Sequence, residues 1–119
     1  MTIGQALYAF FSDFDIPAYP LTSVPKDAQM PYITFSTAVS EFETETMLEA
    51  NVWYKTSSES IPNAKAEEIA RAIGRAGVFL KIDGGYIWLK KGSPFWQSIP
   101  DEDNSIKRRY FNIVAEYLR

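Results

Sequence analysis

Ile106-Lys-Arg-Arg-Tyr-Phe-Asn-Ile-Val-Ala-Glu-Tyr-Leu118 decides the fold of this 119-residue chain. From Tyr110 to Leu118 the stretch alternates with the two-residue period of a β-strand, so the final strand occupies about 106 to 118. A strand this long needs neighbours for its backbone hydrogen bonds, and a sheet is therefore required. Just upstream, Gly92 to Pro100 reads as a loop carrying Phe95 and Trp96 between Pro94 and Pro100, followed by the acidic triplet Asp101-Glu102-Asp103. Two large aromatics in a loop either cap an open end of the domain's own core or anchor a partner. Self-capping is the commoner outcome.

Working back from the terminus, Val78 to Ile82 and Tyr86 to Lys90 form two further strands. Asp83-Gly84-Gly85 between them supplies the positive φ that a tight hairpin demands. Ser60-Ile-Pro-Asn63 opens a helix whose narrow apolar face is Ile69, Ala72, Ile73 and Ala76, with Gly77 as the expected C-terminal stop. Leu48 to Tyr54 and Tyr32 to Val39 alternate as an antiparallel pair. The Glu- and Thr-rich connection over 40–47 continues the alternation, which predicts a hairpin extending past the core. Residues 16–31 hold four of the seven prolines and read as an irregular surface arm. Thr2 and Gln5 form a capping box before an apolar stripe of Ile3, Leu7, Phe10, Phe11 and Phe14. The expectation is a single α+β domain over 1–119, in the order α-β-β-α-β-β-β. Its sheet is mostly antiparallel, with both helices on one face.

Composition narrows the function. Cysteine and histidine are both absent. Disulfide frameworks, zinc sites using Cys or His, and Ser-His or Cys-His nucleophile systems are thereby excluded. The net charge of −3 offers no broad basic surface for nucleic-acid backbones. No apolar run approaches the ~20 residues that cross a bilayer, and the N-terminus lacks the cationic start of a signal peptide. A reducing, cytoplasm-like place of synthesis is expected. No cofactor is implied.

Several clusters merit weighing. Asp101, Glu102 and Asp103 have the oxygen ligands a hard cation wants, but adjacent carboxylates seldom converge on one ion. A solvated turn in which Asp103 or Asn104 bonds its own backbone is the plainer reading. Lys107, Arg108 and Arg109 are split between two strand faces, so they favour ordinary pairing over a phosphate patch. Glu41, Glu43, Glu45 and Glu49 form an acidic stretch that is either a soluble edge or a negative rim meeting a basic edge on another copy. Phe42, Trp53, Phe95 and Trp96 are the apolar anchors such an interface would use.

Taken in order, Pro31-Tyr-Ile-Thr-Phe35, Asn51-Val-Trp-Tyr-Lys55, the helix with Ala66, Ile69, Ala70 and Ile73, Gly84-Gly-Tyr-Ile87, and the closing Gln97-x-Ile99-Pro-Asp-Glu-Asp103 with Lys107-Arg-Arg109 form a pattern. It resembles the tail terminator, or tail completion, proteins of tailed bacteriophages and contractile phage-tail-like particles. The resemblance spans nearly the whole chain. It implies a non-enzymatic α+β subunit of the virion tail or neck, assembled in the host cytoplasm. Copies would form a ring, a hexamer, that caps the tail tube and presents the head-docking surface. The implied partners are further copies, the tube protein, the sheath and a head-side connector, with DNA passing through the bore. The 40–47 hairpin, the 92–104 loop and the 106–118 strand are the implied contact regions. Closing a ring takes two different patches on each subunit, and the acidic 41–49 and basic 107–109 stretches suit opposing sides. Three rival readings remain: a head-side connector or stopper, a carboxylate–metal hydrolase built on Asp101 and Asp103, and a module that binds a host factor.

Overall fold

Residues 106–118 form the centre of a six-stranded sheet. A computed structural model describes residues 1–37 and 44–119 of the chain. Its elements are α1 (Ile3–Phe11), β1 (Ala18–Pro20), β2 (Tyr32–Phe35), β3 (Glu45–Lys55), α2 (Ser60–Ile73), β4 (Val78–Ile82), β5 (Gly85–Ile99) and β6 (Ile106–Leu118). The sheet order is β1-β2-β3-β6-β5-β4. β6 pairs antiparallel with β3 on one side and β5 on the other, which satisfies the demand its length makes. The class and the order of the long elements are those expected. The Pro-rich arm adds one short strand, β1, parallel to β2. Pro20 is tolerated there because β1 lies at the sheet's edge, and Ile33 N–H to Pro17 O (2.8 Å) and Leu21 N–H to Phe35 O (2.8 Å) stitch the arm down.

One sheet face carries the core. Ile33 and Phe35 of β2, Leu48, Ala50 and Val52 of β3, Phe111 and Ile113 of β6, and Ile87 and Leu89 of β5 are buried on it. α2 lays Ala66, Ile69 and Ile73 against this face, and α1 adds Leu7 and Phe11, with Phe11 stacked on Phe35. The small residues of α2 let its axis lie close, as their spacing predicts. The sheet curls round α1, which touches β4 at one edge and β1 and β2 at the other. Both edges are thus partly covered by one helix, a device that blunts edge-to-edge pairing. The N-terminal ammonium also bonds Asp83 in the β4–β5 turn, and Asp83 N–H returns a bond to Met1 O at 2.7 Å.

Local signals are met with one shift. The capping box forms in both directions: Gln5 N–H to Thr2 Oγ1 (3.1 Å) and Thr2 N–H to Gln5 Oε1 (2.9 Å). α2 stops at Gly74 (φ 76°), three residues before the expected Gly77. Gly77 has another task. Its φ is 85°, and a Cβ there would lie 2.5 Å from Trp88 Nε1, so only glycine lets the chain pass under that ring.

The larger correction concerns residues 92–99. They are not a loop: β5 runs on to Ile99. Between the pairs Lys91↔Ile113 and Trp96↔Phe111, β5 spends residues 92–95 while β6 spends only Asn112. This bulge absorbs Gly-Ser-Pro-Phe, after which pairing resumes through Ile99↔Arg108. Gly92 is needed because a Cβ would meet Asn112 Cβ at 2.9 Å, and Asn112 Nδ2 donates to Pro94 O at 2.8 Å. Strand β2 ends at Phe35, earlier than expected, and β3 begins at Glu45. Residues 40–43 of the predicted 40–47 hairpin lie outside the described residues, and Glu45, Thr46 and Met47 are the start of β3.

Candidate interaction surface

The two helices leave the opposite sheet face without a covering element among the described residues. Strand alternation sends Trp53 of β3, Arg108 and Tyr110 of β6, and Trp88 and Lys90 of β5 to that face. These side chains lock together instead of splaying into solvent. Trp53 Nε1 donates to Thr34 Oγ1 at 3.0 Å, and Trp88 Nε1 donates to Ala76 O at 2.9 Å. The Arg108 guanidinium lies 4.9 Å from the Trp53 ring centre and 5.8 Å from that of Tyr110. Its Nε donates to Asn51 Oδ1 at 2.7 Å, while Asn51 Nδ2 donates to Glu49 Oε2 at 3.2 Å. At the far end, Lys90 sits over the Trp88 ring and between two carboxylates, Glu45 at 2.6 Å and Glu116 at 3.2 Å. The hydrogen bond to Glu45 holds the Lys90 ammonium above the ordinary lysine range, against the opposing effect of burial.

The basic triplet divides as strand geometry requires. Lys107 and Arg109 go to the helix side, Arg108 to the open face. Arg109 is 2% exposed: Nε donates to Asn63 Oδ1 (2.9 Å), Nη1 to Arg108 O (3.2 Å) and Nη2 to Glu59 Oε1 (2.6 Å). Lys107 reaches Asn104 O at 2.6 Å and Glu59 at 3.6 Å. The hydrogen bond from Arg109 holds the Glu59 carboxyl below the ordinary glutamate range. Two of the three cations therefore tie β6 to the start of α2. Only Arg108 is presented outward without a carboxylate, since no described residue forms an ion pair with it.

Other candidates fall as follows. Phe95 and Trp96 pack on the chain's own core, Phe95 edge-on to Phe111 at 5.3 Å, which is the self-capping arrangement. Glu41, Phe42 and Glu43 lie outside the described residues. Glu45 and Glu49 are on β3, Glu45 paired with Lys90 and Glu49 with Asn51. Glu45 stands opposite Glu116, eight residues along β6 from Arg108, or roughly 26 Å at 3.3 Å per residue. Asp101 and Asp103 serve their own turn: Asp101 Oδ1 accepts from Asp103 N–H (3.0 Å), and Asp103 Oδ1 accepts from Ser105 N–H (2.9 Å) and Oγ (2.7 Å). Those bonds from Ser105 hold the Asp103 carboxyl below the ordinary aspartate range. Among the described residues no three acidic side chains converge as metal ligands would, and no helix is long and apolar enough to cross a membrane.

Sequence reasoning missed Trp88 and Tyr110 as parts of this surface. The signal was present, because each stands in the outward register of a strand whose inward register is apolar.

Neither the family models nor the curated proteins contain a match to the chain. Among solved structures, it is similar to a chain of the virion of a native gene transfer agent particle, with a TM-score of 0.63 and 14% identity. The likeness covers 98% of this chain and 91% of that one. At such low identity it establishes a shared fold over nearly the full length of both.

Proposed function

We propose that this chain is a structural subunit of a phage-like particle and acts as a tail terminator: copies close into a ring, six in number, that caps the tail tube and receives the head. The observation that carries this reading is the end-to-end likeness to a chain of a gene transfer agent virion. Such extent leaves little of either chain outside the shared fold. The sequence pattern that resembles tail terminator proteins points the same way. So does the surface. A sheet face whose aromatics and cations are held rigid loses little entropy when a partner docks. Histidine and cysteine, two common catalytic side chains, are missing from the sequence, and Asp101 and Asp103 each turn one carboxylate oxygen to backbone N–H groups of their own turn.

Electron microscopy of the purified chain, alone and mixed with tail tubes, tests the proposal. Rings that seat on tube ends support it. Binding to portal complexes with no affinity for tube ends would move the assignment to a head-side connector.

A further inference from the structure

Arg108 differs from the other cations of the sheet in being held still yet left without a counter-ion. Two aromatic rings flank its guanidinium and Asn51 fixes Nε. The terminal nitrogens thus form a pre-aimed fork on the open face, the geometry that takes a carboxylate in two parallel hydrogen bonds. Lys90, the other central cation of that face, is already neutralised by Glu45 and Glu116.

The same chain displays the complementary group. Glu102 stands exposed at the tip of the β5–β6 turn and makes no hydrogen bond or ion pair with any described residue. The Asp101 and Asp103 bonds stiffen the turn beneath it. Glu102 lies in the β5–β6 turn and Arg108 in β6, where it pairs with Ile99 at the end of β5, so the two are different groups at the same end of the sheet. A heterologous contact sets one such group of a copy against a different one on the next.

We infer that Glu102 of one copy docks on the Arg108 fork of the next, so that the helix-free sheet face is a subunit interface. This rests on the ring reading and names the contact within it. Such a pair fixes register and orientation, while the flanking Trp53 and Tyr110 rings supply apolar area.

Charge exchange tests it. The wild type, Arg108→Glu, Glu102→Arg and the double variant would each be followed by sedimentation velocity across a concentration series, with circular dichroism verifying the fold. Each single change should raise the concentration needed for half-assembly by at least about tenfold, and the double should return to near the wild-type value. Glu102→Arg alters only an exposed turn, so its effect does not depend on the folding of the Arg108 variant. Single variants that assemble like wild type, or a double variant no better than the singles, would overturn this contact while leaving the ring intact. A wild-type chain that stays monomeric throughout would overturn both.

Discussion

Arg109, buried under the start of α2, reaches outward to Glu59, which is 64% exposed; the Nη2–Oε1 distance is 2.6 Å. The pair joins the central strand to the helix that covers it. Its buried half depends on its solvated half, because a guanidinium removed from water needs its charge answered.

Arg109→Ala should lower stability by roughly 2–3 kcal/mol, under the 3–5 typical of fully buried pairs because Glu59 remains hydrated. Arg109→Met, which refills the volume without a charge, should cost less. Urea midpoints at constant slope give the comparison.

Acid should weaken the fold through Glu59 and Asp103. Both carboxyls titrate below their ordinary values in the folded chain. The unfolded chain therefore binds more protons in that range, and stability falls as pH drops through 4.5 and 3.8 toward the depressed folded values. Lys90 and Tyr54 act at the other limb. Both pKa values are raised, Lys90 mainly by its bond to Glu45 and Tyr54 by burial. Their contributions persist below the ordinary values and fade as pH climbs through the raised ones. Glu59→Gln should flatten the acid limb of a stability–pH curve, and Lys90→Gln the alkaline limb.

Gly77→Ala should destabilise more than Gly84→Ala. Both positions have positive φ, worth about 1–2 kcal/mol each against a side chain. An added Cβ at Gly84 meets open space, whereas at Gly77 it strikes Trp88 and Leu89 O at 2.6 Å. Thermal melts of the two variants should differ by several degrees for a domain of this size.

Phe95→Ala should reduce stability by about 2 kcal/mol, less than a fully buried phenylalanine costs, because the ring packs on Phe111 while remaining partly exposed. A melting temperature unchanged in the isolated chain would instead make Phe95 a partner's anchor.

Most of the long elements were legible in the sequence because they carry a sustained period: Tyr110 to Leu118 in β6 and the Ile69–Ile73 face of α2. What escaped was set by tertiary pairing. Gly92, Ser93 and Pro94 are loop formers by local preference, yet β6 offers hydrogen bonds on that side, and a bulge lets β5 take them. β1 exists only because β2 lies beside it. Strand alternation placed Lys107 and Arg109 opposite Arg108, but the separate fates of the three required Glu59 and Asn51, which lie more than forty residues away in sequence. The aromatic sandwich round Arg108 joins β3 to β6, and a pairing register is something no single stretch of sequence displays.

Native mass spectrometry of the purified chain is the most direct measure of whether it works by closing on copies of itself. A dominant species of six 13.5 kDa subunits, appearing with rings under the electron microscope, is the expected result. A monomer at every concentration, which also leaves growing tail tubes uncapped, would contradict it.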